Sequence, residues 1–146
     1  MAYLIILAVS LAVLVVLFLR RKSANRITFS TGGRVLLWIA LFLLGVQAIF
    51  WFGMGIGEIS SGTAGAAMHL LPGAGIVLLM FLVWKIPLEG GLVLAFQGLA
   101  LAVDALVGTS GSTSTRTSAL IFVAFPPILV GLVLLWACGL SLKRRN

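Results

Sequence analysis

Charge is what this 146-residue chain most conspicuously has little of: Asp, Glu, Lys and Arg together make up 9% of it, with three acids in all. A water-soluble domain carries about 25% charged residues. With so few, and with 62% of the residues hydrophobic, the chain cannot cover a water-facing surface, and lipid must cover most of it. One cysteine, Cys138, excludes an internal disulfide, and one histidine with one cysteine excludes a zinc site of Cys/His spacing. The same scarcity works against catalysis. No serine has both a histidine base and an orienting acid in a recognisable pattern, and no cofactor fingerprint is present. Gly53-x-Gly55-x-Gly57 has neither the spacing nor the strand-to-helix setting of a phosphate loop. The expectation is a protein that is not an enzyme and carries no cofactor.

What is present is a series of long apolar runs. A spanning helix needs about 20 mainly apolar residues, and five segments qualify: Ala2–Leu19, Val35–Ile56, Ala66–Trp84, Gly90–Val107 and Ala119–Leu140. The runs are continuously apolar rather than alternating, which favours helices over a barrel. Nothing charged precedes Tyr3, and Arg20-Arg21-Lys22 follows the first run directly. That order reads as a retained span rather than a signal peptide.

The net charge of +7 has the sign that nucleic-acid binding needs, but the positions of the basic residues decide otherwise. Arg20, Arg21, Lys22, Arg26 and Arg34 separate the first two runs, Lys85 separates the third and fourth, and Lys143, Arg144 and Arg145 follow the last. Five alternating spans put all of these on one side and leave Arg116 alone on the other. By the positive-inside rule the rich side is cytoplasmic. The expectation is therefore an all-α, polytopic transmembrane bundle of five spans, N-terminus out and C-terminus in. Residues 1–19 form the first helix, 20–34 a basic cytoplasmic loop, 35–142 a four-helix core and 143–146 a basic tail. Gly108–Ser118 reads as a flexible polar connection.

The core divides into two hairpins of similar design. One runs from Gln47 past Pro72 to Trp84, the other from Gln97 past Pro126-Pro127 to Trp136. Both start on the cytoplasmic side, as parallel repeats do. The first span stands outside this pattern and reads as a peripheral anchor or docking helix.

Polar groups within lipid are costly and point to function by default. Gln47 and Gln97 fall near the middle of their spans, where they could bond to each other across the hairpins or line a path. Glu58, His69 and Asp104 are brought to the outer side by the topology. An imidazole with two carboxylates could bind a divalent metal, relay protons, or form a structural hydrogen-bonded cluster. Gly53 and Gly57, four apart, and Gly91 and Gly98 are candidate helix-packing positions. Lys85 and Glu89, flanking Pro87, suggest a local ion pair.

From Arg34 onward the chain resembles a family of small, uncharacterised prokaryotic membrane proteins with four spans. The resemblance rests on Gly55-Ile56-Gly57-Glu58, His69-Leu70-Leu71-Pro72-Gly73, Trp84-Lys85-x-Pro87, Gly90-Gly91, and the run from Pro126 through Gly131 to Trp136. It implies a four-helix unit with a Glu and a His at one face, and no particular activity. The functional expectation is a non-enzymatic accessory or scaffold protein of a prokaryotic inner membrane. Its partners would be the lipid bilayer and another membrane protein or further copies of itself, with no nucleic acid. The alternatives are a small oligomeric transporter or channel lined by Gln47, Gln97 and Asp104, and a pigment- or haem-binding subunit using His69.

Overall fold

The computed structural model describes residues 2–20, 29–60, 66–107 and 113–143. Among them every regular element is helical: α1 (Ala2–Arg20), α2 (Thr31–Ser60), α3 (Ala66–Lys85), α4 (Pro87–Val107), α5 (Thr113–Ala119), a π turn (Leu120–Ala124) and α6 (Phe125–Lys143). Four stretches are long and apolar enough to cross a membrane: Thr31–Ser60, Ala66–Lys85, Pro87–Val107 and Arg116–Ser141. The apolar part of α1, Leu4–Arg20, is shorter. Of the expected basic loop, residues 21–28 lie outside the described residues, as do residues 144–146 of the basic tail.

Each departure from the expected boundaries has a local cause. The second helix begins at Thr31, not Val35, so Arg34 belongs to a helix rather than a loop. Ser30 supplies the cap: its Oγ accepts from the Gly33 N–H at 3.1 Å, satisfying one of the donors a helix start leaves open. Gly33 then packs on the last turns of α6, where a Cβ would sit 2.8 Å from the Ala137 carbonyl oxygen. Ser141 Oγ ties the same corner, accepting from the Ser30 N–H at 3.3 Å while donating to Ala137 O.

The expected connection Gly108–Ser118 is shorter than its composition suggested, because α5 already starts at Thr113; residues 108–112 lie outside the described residues. From α5 the chain runs without a break into α6. Residues 119 and 125, on either side of the π turn, both keep right-handed helical dihedrals, and the Phe125 N–H donates to the Leu120 carbonyl, five residues back. Pro126 and Pro127 explain the widened turn. Neither has an N–H, and a proline ring crowds the carbonyl four residues before it.

Ile86 alone separates α3 from α4, and Pro87 opens α4 at the position where its missing N–H costs nothing. A Cβ on Gly90 would lie 2.8 Å from Val83 Cγ2, so the chain doubles back tightly there. Lys85 lays its ammonium over the Trp84 ring, 4.4 Å from the centroid. Glu89 keeps one carboxylate oxygen buried with no hydrogen-bond partner among the described residues.

α2 packs most extensively on α3, and α4 on α6; the two hairpins then meet through α2 and α6. α3 and α4 touch far less, and α1 packs on both of them. This corrects the expectation of a peripheral first helix. Leu7, Ser10 and Leu14 form one buried stripe of α1 at helical spacing, and Leu14 is 0% exposed. Gly75 of α3 is the seat for Leu7, whose Cδ2 would be 2.6 Å from a Cβ there. Leu7 and Leu14 belong to the same core cluster as Leu44, Ile76, Val83, Leu94 and Leu134. The first helix is part of the bundle.

Candidate functional site

The polar site that the structure assembles joins α2 to α3. Trp51, Gly55 and Glu58 fall at i, i+4 and i+7 and share one face of α2. Gly55 brings that face close to α3: a Cβ on it would stand 2.7 Å from the Leu70 side chain and 3.3 Å from the Ala66 carbonyl oxygen. At this separation His69, in the first turn of α3, reaches Glu58, with Nδ1 to Oε2 at 3.0 Å. The Trp51 ring lies beside the imidazole, centroids 5.6 Å apart and planes tilted by 30°. The side chains of His69 and Glu58 are 22% and 30% exposed, so the pair is sheltered but open at its rim.

The chemistry of this arrangement follows from the imidazole. In the neutral ring, Nδ1–H donates to the carboxylate and Nε2 remains a lone-pair acceptor. In the protonated ring the contact becomes an ion pair, and the Trp51 face adds a cation–π contact. The contact to Glu58 at 3.0 Å is thus a hydrogen bond with either form of the ring.

Asp104 does not join it. Its side chain is exposed on α4, and no group of three or more His, Cys, Asp or Glu able to hold a metal exists among the described residues. The expected three-residue cluster is corrected to a two-residue pair with an aromatic neighbour. Trp51 is the member that sequence reasoning missed, although its i, i+7 spacing from Glu58 was available.

Gln47 and Gln97 are both buried, at 7% and 4% exposure, but they do not bond to each other. The Gln97 Oε1 has no hydrogen-bond partner among the described residues. The two amides instead line separate apolar grooves. Gln47 faces a groove of about 320 Å³ between α2 and the π turn with the start of α6. Phe50 and Phe122 stack across it, with centroids 6.0 Å apart and planes 13° from parallel. Gln97 faces a groove of about 580 Å³ between α4 and α1. Position for position, Leu43, Val46, Gln47 and Phe50 of the first groove match Val93, Phe96, Gln97 and Ala100 of the second.

The glycines sort differently from the expectation. A Cβ on Gly53 or Gly57 would meet nothing within 4 Å; the packing positions in that segment are Gly55 and, across from it, Gly73 against Phe52. Gly91 and Gly98 lie where α4 crosses α6. There a Cβ on Gly91 would stand 3.2 Å from the Gly131 carbonyl oxygen, and one on Gly98 2.8 Å from that of Ala124.

Residues 26–146 match the family described as a domain of unknown function, DUF7670. The chain belongs to that family. The DUF7670 region takes in α2 through α6, both members of the His69–Glu58 pair and both glutamines, and leaves α1 outside. No curated protein and no solved structure matches the chain. The α4–α1 groove is thus built half from the DUF7670 region and half from a helix beyond it.

Proposed function

We propose that this DUF7670 protein is a non-enzymatic accessory or scaffold protein of a prokaryotic inner membrane, working by lateral helix packing with a larger complex or with its own copies. In this reading it crosses five times, α1 included, with the N-terminus outside and the basic ends of the helices in the cytoplasm. One observation carries the proposal. The two mid-helix amides, the residues a translocation path would need, open onto two separate apolar grooves rather than one shared polar route. Large apolar side chains such as Phe42, Ile49, Phe96 and Trp136 are exposed around the bundle, which suits lipid or a partner helix. Extraction in a mild detergent tests the reading. A stable complex, hetero- or homo-oligomeric, is the expected outcome; a lone monomer without a partner contradicts it. Reporter fusions at Ser61–Gly65, Gly108–Ser112 and the C-terminus test the five-span orientation, with only the C-terminal fusion reporting cytoplasm.

A further inference from the structure

Trp38, Trp84 and Trp136 are exposed, and the helix crossings put all three near one level of the bundle. Gly55 of α2 lies against Ala66 and Leu70 of α3. From that crossing Trp38 is seventeen residues back along α2, and Trp84 is fourteen to eighteen residues on along α3. At about 1.5 Å per residue the two rings share a level. Gly33 lies against Ala137 and Ser141 of α6, which sets Trp136 within one turn of it. Trp38 and Glu58 are twenty residues apart on α2, about 30 Å, the thickness of a hydrocarbon core. With the His69–Glu58 pair at one membrane surface, the tryptophans mark the other.

At and beyond that level the helices carry cations. Arg34 is exposed four residues before Trp38 on α2, and the Lys85 ammonium lies over the Trp84 ring. α6 ends at Lys143, and α1 ends at the exposed Arg20. Leu7 is seated on Gly75, so an α1 parallel to α3 brings Arg20 within about 5 Å of the Lys85 level. An antiparallel α1 would leave Arg20 about 45 Å from Thr31. Residues 21–30, at about 3.5 Å each, cannot cover that distance. Arg20 and Arg34 make no salt bridge among the described residues. Arg21, Lys22, Arg26, Arg144 and Arg145 adjoin the same helix ends in sequence. Of the three acids only Glu89 belongs to this end, and one of its oxygens is buried. The opposite end sets Glu58 and Asp104 against Arg116.

A partner for the basic end must be anionic and must accept tryptophan rings at the edge of the hydrocarbon, where such rings settle. A soluble polyanion answers the charges but not the rings. Phosphatidylcholine answers the rings but has no net charge. An anionic phospholipid answers both, and each Lys or Arg near an anionic surface favours association by about fivefold. We propose that the basic end of the bundle selects anionic phospholipids. Their phosphates are held by Arg20, Arg34 and Lys85, with Trp38 and Trp84 at the acyl boundary. The proposal rests on the chain crossing a bilayer, and not on which side is cytoplasmic or on a protein partner.

The exposed tryptophans report on this end without added labels. The full chain, purified alone, is placed in nanodiscs of mixed phosphatidylglycerol and phosphatidylcholine. One lipid or the other carries bromine high on its acyl chains, where it quenches a tryptophan that it touches. Quenching is expected to show phosphatidylglycerol preferred about three- to tenfold at low salt, falling toward parity at about 0.5 M salt. The combined variant Arg20→Gln, Arg34→Gln, Lys85→Gln is expected to lower that preference about threefold or more. Its three replaced side chains are exposed, so its thermal transition should match that of the parent chain. Arg116→Gln, at the opposite end, should leave the preference unchanged.

Equal quenching by the two lipids at low salt overturns the proposal, as does an undiminished preference in the folded triple variant. Equal quenching together with tight binding of inorganic polyphosphate, lost in the triple variant, would assign this end to a soluble polyanion and overturn it too. No partner protein is present in these nanodiscs, so a failure here leaves the scaffold reading standing.

Discussion

The hairpin of α2 and α3 and the hairpin of α4 and α6 bury the same positions for different ends. Leu37, Ala40, Leu41, Leu44, Gln47 and Ala48 of α2 are buried, and so is each residue fifty further along α4: Pro87, Gly90, Gly91, Leu94, Gln97 and Gly98. In the returning helices, the buried Pro72, Ile76, Leu79, Leu82 and Val83 of α3 correspond, at an offset of fifty-five rather than fifty, to the buried Pro127, Gly131, Leu134, Ala137 and Cys138 of α6. The register that burial supports aligns Pro72 with Pro127 and not Trp84 with Trp136. Both tryptophans face outward, where interfacial rings are common and carry no register.

The interiors nonetheless differ. The second hairpin closes on facing glycines, Gly91 and Gly131, whereas the corresponding pair in the first is Leu41 and Ile76. The first hairpin carries the His69–Glu58 pair; at the fifty-residue spacing Glu58 would correspond to Gly108, beyond the end of α4. The seam between α2 and α6 closes directly, while the matching seam between α3 and α4 is occupied by α1. A shared pattern of burial therefore sets the framework, and the few residues that break the correspondence carry the distinguishing chemistry.

The strongest challenge to that contrast is Gly131→Leu. A Cβ there would lie 2.6 Å from the Ala95 amide nitrogen and 2.7 Å from the Gly91 carbonyl oxygen, and backbone cannot rotate away as a side chain can. The cost is expected to be about 3 kcal/mol or more, seen as loss of a cooperative thermal transition in detergent. At Gly45 of the first hairpin the nearest atom to a Cβ is Met80 Cε, at 3.7 Å, so Gly45→Ala should be tolerated. If both variants unfold alike, the two hairpins do not close differently.

Leu14→Ala tests whether α1 is a working part of the bundle. Truncating a leucine that is fully buried is expected to cost about 2 kcal/mol, the lower end of core truncations. An unchanged transition would return α1 to the periphery.

A smaller effect separates Asp104 from the polar pair. A double-mutant cycle on Glu58→Gln and His69→Ala should give a coupling of about 1 kcal/mol. The cycle pairing His69→Ala with Asp104→Asn should be additive within about 0.5 kcal/mol. Coupling of Asp104 to His69 would restore the three-residue cluster. The smallest effect is expected at Gly53 and Gly57. With open space around each, Ala in either place should be neutral or stabilise by up to about 1 kcal/mol through helix propensity; destabilisation would reveal a contact that the single chain does not make.

Much of the fold was legible because long apolar runs in a nearly uncharged chain leave helices as the simplest way to satisfy the backbone. The Glu58–His69 meeting was legible in part, since a short connection between antiparallel helices brings the end of one beside the start of the next. The rotation of each helix about its axis was not. Gly53, Gly55 and Gly57 are alike in composition, and only packing chooses Gly55 as the one against Leu70. The same holds for Asp104: its height along α4 was readable, but not the side it faces, so whether it meets His69 was left open. Helix starts at Thr31 and Thr113 were hidden because polar residues can cap or begin a helix as readily as form a loop.

The first helix shows where the division falls. By itself the sequence determined that α1 is apolar, helical and followed by positive charge, because these are properties of composition and local order. Only the tertiary structure decided that its Leu7–Ser10–Leu14 stripe enters the seam between α3 and α4, making a core element and one wall of the Gln97 groove. An apolar helix in an apolar solvent has no preferred face until close packing and unmet hydrogen bonds select one.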